Sequence, residues 1–108
     1  MNMLWAILKP KKSLEIGQIR EKYYTENTPW RKGKPTYIHI EDMKDGYIKY
    51  RYIMFDSGRY NILNNIDPSV AKKSDGYKWF YPTVVSNNLE EFLQEINKNF
   101  GAHQQTKS

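Results

Sequence analysis

Eight side chains in the first half of this chain could grip a ligand: Trp30, Arg31, Lys32, Lys34, Tyr37, His39, Lys49 and Arg51. The lysines and arginines among them suit phosphate oxygens, and the two aromatic rings suit stacking on nucleotide bases. Trp30 stands between Pro29 and the basic run Arg31, Lys32, Lys34, so a single loop carries both kinds of group. A loop tryptophan can equally fold back and cap the open end of a core, and the residues leave that alternative open. A surface rich in tyrosine with an arginine in it also suits a protein interface. Catalysis finds no such support, since there is no Gly-rich phosphate loop, no nucleophile elbow and no Cys nucleophile. The two histidines, His39 and His103, share no ligand spacing, so neither a metal nor a cofactor is expected.

The strands that must position these groups are written most clearly between Thr36 and Tyr60. Thr36–Met43 and Tyr47–Phe55 are rich in β-branched and aromatic residues and flank Lys44-Asp45-Gly46, a hairpin signal. Register decides which face each side chain takes. A two-residue loop would set Ile40 against Arg51. A three-residue loop with Gly46 in the left-handed region sets Ile40 against Tyr50, Ile38 against Tyr52 and Glu41 against Lys49. The second register sorts apolar from charged residues and is the expected one. It places Tyr37, His39, Lys49 and Arg51 together on the outer face, with Glu41 neutralising Lys49 and Arg51 left as the better phosphate ligand.

Elsewhere the pattern is coarser. Met3–Leu8 is short, apolar and stopped by Pro10, which predicts a buried strand followed by a basic loop, Lys9-Pro10-Lys11-Lys12. Leu14–Arg20 alternates and then meets Gly17, where a bend or bulge is expected. Arg59–Ile66 predicts a strand ended by Asp67-Pro68. Lys72–Gly76 reads as a turn, and Tyr77–Val85 as a last strand broken or placed at an edge by Pro82. Leu89, Phe92, Leu93, Ile96 and Phe100 form one apolar stripe, the strongest helix signal in the chain. Asn87 and Glu90 have cap-box spacing, Gly101 suits the residue after the helix, and 102–108 has no apolar anchor and is expected to be a mobile tail.

These elements predict a mainly β (α+β) fold: a small antiparallel SH3-like barrel, or strongly bent sheet, of about five strands with one C-terminal amphipathic helix. A chain of 108 residues suits one domain, expected over residues 1–101. An aromatic content of 15% argues against disorder despite 27% charged residues. The net charge of +5 permits an anionic partner without requiring one. The absence of Cys suits a reducing cytoplasm, and no stretch has the length of a signal peptide core or a membrane span, so no membrane partner is expected.

Read as a string, Gly17-Gln-Ile, Thr28-Pro-Trp30, Ile38-His-Ile40 and Asp45-Gly-Tyr-Ile-Lys-Tyr50, with Leu89 to Phe92, resembles small uncharacterised phage and prophage proteins. The resemblance covers about residues 14–55 and the helix, with Gln18 where those proteins carry an acidic residue. It implies an SH3-like or KOW-like barrel, no catalytic residues, and a host cytoplasm as the setting. Its implied role is a binding protein that blocks a host enzyme or defence factor. Nucleic acid through the basic and aromatic face, or a host protein, are thus the two partners the sequence points to.

Overall fold

The computed structural model describes residues 13–24 and 33–105, with side chains as far as residue 99. The expected strand at Met3–Leu8, the loop Lys9–Lys12 and most of the Pro29–Lys34 loop lie outside the described residues. Five strands form one antiparallel sheet: β1 (Ile19–Glu21), β2 (Tyr37–Lys44), β3 (Tyr47–Asp56), β4 (Arg59–Ile62) and β5 (Ser69–Lys72). Two helices follow, α1 (Lys73–Trp79) and α2 (Leu89–Gln105). The order β1-β2-β3-β4 is linear, and β5 pairs with β3 beyond the end of β4. The long strand β3 thus carries β4 on its Ile53–Asp56 half and β5 on its Tyr47–Tyr50 half, along one edge.

The hairpin keeps the expected partners by a different route. Ile38 faces Tyr52 and Ile40 faces Tyr50. The loop, however, has two residues, Asp45 and Gly46, both at positive φ (54° and 82°), the conformation that matches the twist of paired strands. A bulge between Ile40 and Asp42 absorbs the extra residue, so Asp42 rather than Glu41 lies opposite Lys49. The second turn repeats the device at Ser57 and Gly58, with φ of 53° and 86°.

Alternation along β3 gives the sheet two apolar sides. Ile48 and Tyr50 face one side with Ile38, Ile40 and Ala71, joined by Leu14 and Phe80. Ile53 faces the other side with Ile19 and Tyr60, and Ile96 of α2 packs there with Phe92, Leu93 and Leu89. A barrel has one interior, whereas this sheet buries both faces and stays open. That corrects the expected barrel. Its β1 edge is covered by the chain after α1 instead of by β4 or β5. Tyr23 N–H donates to Trp79 O and Tyr81 N–H to Glu21 O, both at 2.8 Å, and Ile19 N–H donates to Ser86 O at 2.8 Å. Residues 82–84 loop out between these contacts because Pro82 has no N–H to offer a ladder. The fully buried Arg20 ties the same junction together, donating to Gln18 Oε1 (3.0 Å), Ser13 O (3.1 Å) and Tyr81 O (3.4 Å).

Among the described residues the expected single helix is corrected to two. Residues 73–79, expected as part of a turn and a strand, form α1, whose start is tied to the hairpin by Lys73 N–H donating to Gly46 O at 2.8 Å. Gly76 sits in this helix for want of room: a Cβ there would meet Ile48 Cδ1 at 2.9 Å and Leu14 Cδ1 at 3.0 Å. The helix can therefore lie directly on the sheet, and Tyr77 Oη accepts the Leu14 N–H at 3.1 Å. In α2 the cap is Asn88, one residue later than expected, whose Oδ1 accepts the Glu91 N–H at 2.9 Å. The helix continues past Gly101 to Gln105. Midway along it, Asn97 Oδ1 accepts the Tyr60 N–H at 2.7 Å and Asn97 Nδ2 donates to Tyr60 O at 3.1 Å, so one side-chain amide occupies the outer edge of β4.

Gly76→Val should cost about 1–3 kcal/mol through overpacking, read as a lowered urea midpoint with an unchanged slope. An unchanged midpoint would mean that α1 can lift from the sheet without loss.

Candidate binding surfaces

The predicted site residues are spread along the side of the sheet that α2 half covers. Trp30, Arg31 and Lys32 lie outside the described residues. Lys34 Nζ stands 5.0 Å from the centre of the Phe55 ring, a cation–π contact at the covered end. Tyr37 is beneath α2, its ring edge-on to Phe92 at 5.0 Å and to Tyr60 at 5.7 Å. Burial, helped by Glu21, pushes its hydroxyl above the ordinary tyrosine range. His39 comes next, half-buried between Ile19 of β1 and Arg51 of β3. Its Nδ1 is buried with no hydrogen-bond partner among the described residues. Burial holds the imidazole below its ordinary value against the opposing pull of Glu41.

Arg51 and Lys49 exchange the roles expected of them. Glu41 bonds Arg51, with Nε–Oε2 at 2.6 Å, and Arg51 Nη1 also donates to Ile66 O at 2.6 Å and Leu63 O at 3.1 Å. The bulge brings this about by carrying Glu41 away from Lys49. Lys49 is exposed and takes part in no ion pair among the described residues.

Around Lys49 the structure assembles residues that the sequence had not joined. Lys44, Tyr47 and Lys72 are paired across β2, β3 and β5, so they share one side of the sheet in a single row. The row spans two strand spacings, roughly 10 Å. In the next row Asp42, Lys49 and Val70 are aligned on the same side. Tyr47 is 46% exposed and Val70 62%. Period-two alternation links Tyr47 to Lys49. Lys72 carries no such link, since Lys72–Gly76 has the composition of a turn, yet it ends β5.

A second exposed surface lies at the β1 edge, where Tyr23, Tyr24, Trp79 and Tyr81 are all at least one-third exposed. Tyr23 and Tyr81 stack with centroids 3.9 Å apart, and Lys22 Nζ lies 5.9 Å from the Trp79 ring centre. Pairing of the post-α1 segment with β1 makes this cluster, which no local pattern announces. Among the described residues no group of three His, Cys, Asp or Glu side chains could hold a metal ion, and no helix is long and apolar enough to cross a membrane. No family model, curated protein or solved structure matches the chain.

Arg51→Met should destabilise by about 1–3 kcal/mol, as expected when charge-assisted hydrogen bonds of a half-buried group are lost. Lys49→Met should stay within about 0.5 kcal/mol of the parent. Equal, small effects in denaturant titrations would show that Arg51 is a solvated surface cation.

Proposed function

We propose that this chain is a non-enzymatic binding protein that takes single-stranded nucleic acid across the row Lys44–Tyr47–Lys72, with Lys49 behind it. The observation that carries this reading is the placement of one exposed ring between two lysines on an open strip of sheet. A ring so placed can stack on an unpaired base while ammonium groups on either side meet the phosphates. Bases inside a duplex are already stacked and offer such a ring nothing. The nearby Glu41 carboxylate is engaged by Arg51, so it opposes the approach of a polyanion less than its position implies. Replacing Lys44, Lys49 and Lys72 with Gln should flatten the slope of log affinity against log salt by about two, near 0.7 per phosphate contact. Tyr47→Ala should cost about 1–3 kcal/mol of binding. Fluorescence anisotropy with a labelled single strand checks both, and no binding by the parent protein at low salt would end the nucleic-acid reading.

A protein partner is the second reading, and the aromatic β1 edge favours it. Tyrosine and tryptophan dominate the energetics of protein interfaces, and here Tyr23, Tyr24, Trp79 and Tyr81 gather at one edge. A host protein is the partner that the phage-type resemblance implies. Trp79→Ala and Tyr81→Ala should then each abolish capture of a lysate protein that survives nuclease and high salt. Capture that nuclease removes would instead assign the contact to nucleic acid.

A further inference from the structure

Between the two rows of the uncovered strip runs an open groove of about 140 Å³. It is lined by Asp42, Lys44, Tyr47, Lys49 and Val70, among others. Pockets for drug-sized ligands run to about 300–1,000 Å³, so this one suits a single planar heterocycle. Its walls combine an exposed ring, an exposed aliphatic side chain and lysines, with one carboxylate among them. That carboxylate is out of place on a strip otherwise suited to anions. Asp42 stands opposite Lys49 in the ladder, yet neither enters an ion pair among the described residues. Instead Asp42 Oδ1 accepts the N–H of Met43 at 2.8 Å. The bond fixes the carboxylate's orientation and leaves Oδ2 with no bond among the described residues. An exposed carboxylate held in one orientation is an acceptor for a ligand's N–H groups.

We propose that this groove takes one guanine base of the bound strand, with Asp42 accepting from its Watson–Crick edge. That preference rests on the single-strand reading above. Among the four bases only guanine presents two adjacent donors there, N1–H and the 2-amino group, matching the acceptor geometry of a carboxylate. Cytosine and adenine set a ring-nitrogen acceptor beside their amino groups, and uracil flanks its N3–H with two carbonyls, so each would turn an acceptor toward Asp42. Tyr47 offers the base a ring to stack on and Val70 an apolar contact, while Lys44 and Lys49 lie within the same lining to meet the flanking phosphates. The bulge at Glu41 is what makes the site possible, because it sets Asp42 on the same side of the sheet as Tyr47 and Lys49.

The test uses the full chain and labelled short uridine oligonucleotides that carry one central guanine, inosine, adenine or cytosine, or none, at low salt. The guanine oligonucleotide should bind roughly tenfold or more tightly than the others, the range of one good bidentate base contact. Inosine, which lacks the 2-amino group, should fall between guanine and uracil. Asp42→Asn retains an oxygen for the Met43 N–H and should erase the preference while leaving the all-uridine strand bound no more weakly than before. Equal binding of every oligonucleotide, or a guanine preference that survives Asp42→Asn, would overturn the base assignment and leave the single-strand reading standing. Failure of every oligonucleotide to bind would remove both together. GMP added as competitor should displace the strand only at far higher concentration. Displacement at equal affinity would overturn the strand as the source of the base and make a free guanine nucleotide the ligand.

Discussion

Arg51 holds the sheet at the point where its pattern would otherwise fail. Strands β4 and β5 share one edge of β3, so the chain must leave that edge after Ile62 and return to it at Ser69. An arch of this kind has backbone carbonyls with no ladder N–H to donate to them. Arg51 lies beneath the gap and donates to Leu63 O and Ile66 O, while Glu41 neutralises it from the bulge on β2. Three separate stretches of chain thereby meet on one guanidinium. A planar, permanently charged fork suits such a junction better than a lysine would, since its several donors are directed at once.

The same economy of position governs the two helices. The apolar residues of β3 change sides along its length, so neither helix alone could cover them. Short α1 lies over the hairpin half on one side, and long α2 over the opposite half on the other. The hairpin half of the α2 side is left to solvent, and it is there that lysines and Tyr47 gather. Exposed binding residues and the limited reach of α2 are thus two aspects of one arrangement.

Much of this was legible in local sequence. The two hairpin strands, the facing of Ile38 and Ile40, the positive φ at Gly46 and the apolar stripe of α2 all follow from period and turn chemistry. What escaped depended on contacts distant in sequence. The Glu41 bulge has no composition of its own; it reconciles a two-residue turn with the burial of Ile40. Helix α1 was hidden because Asp75-Gly76 is a strong turn signal, and only the closeness of Ile48 and Leu14 explains a glycine there. Four-residue β5 has too few apolar positions to register as a strand. At the candidate surface, Lys49 lies on the expected face but opposite Asp42 instead of Glu41, and Arg51, expected to be available, is engaged in structure. Tyr37 was expected on an outer face that α2 turns out to cover.

Asn97 gives α2 a role in the order of assembly. Its amide fills the outer edge of β4 as a neighbouring strand would, yet it comes from an element that follows all five described strands. During vectorial synthesis the sheet is therefore complete in sequence before its β4 edge is closed. In that interval the backbone of Tyr60 is open to pairing with another nascent chain, and the apolar side that Ile96 later covers is bare. Docking of the last helix ends both of these exposures in one event, when residues 89–105 are seated.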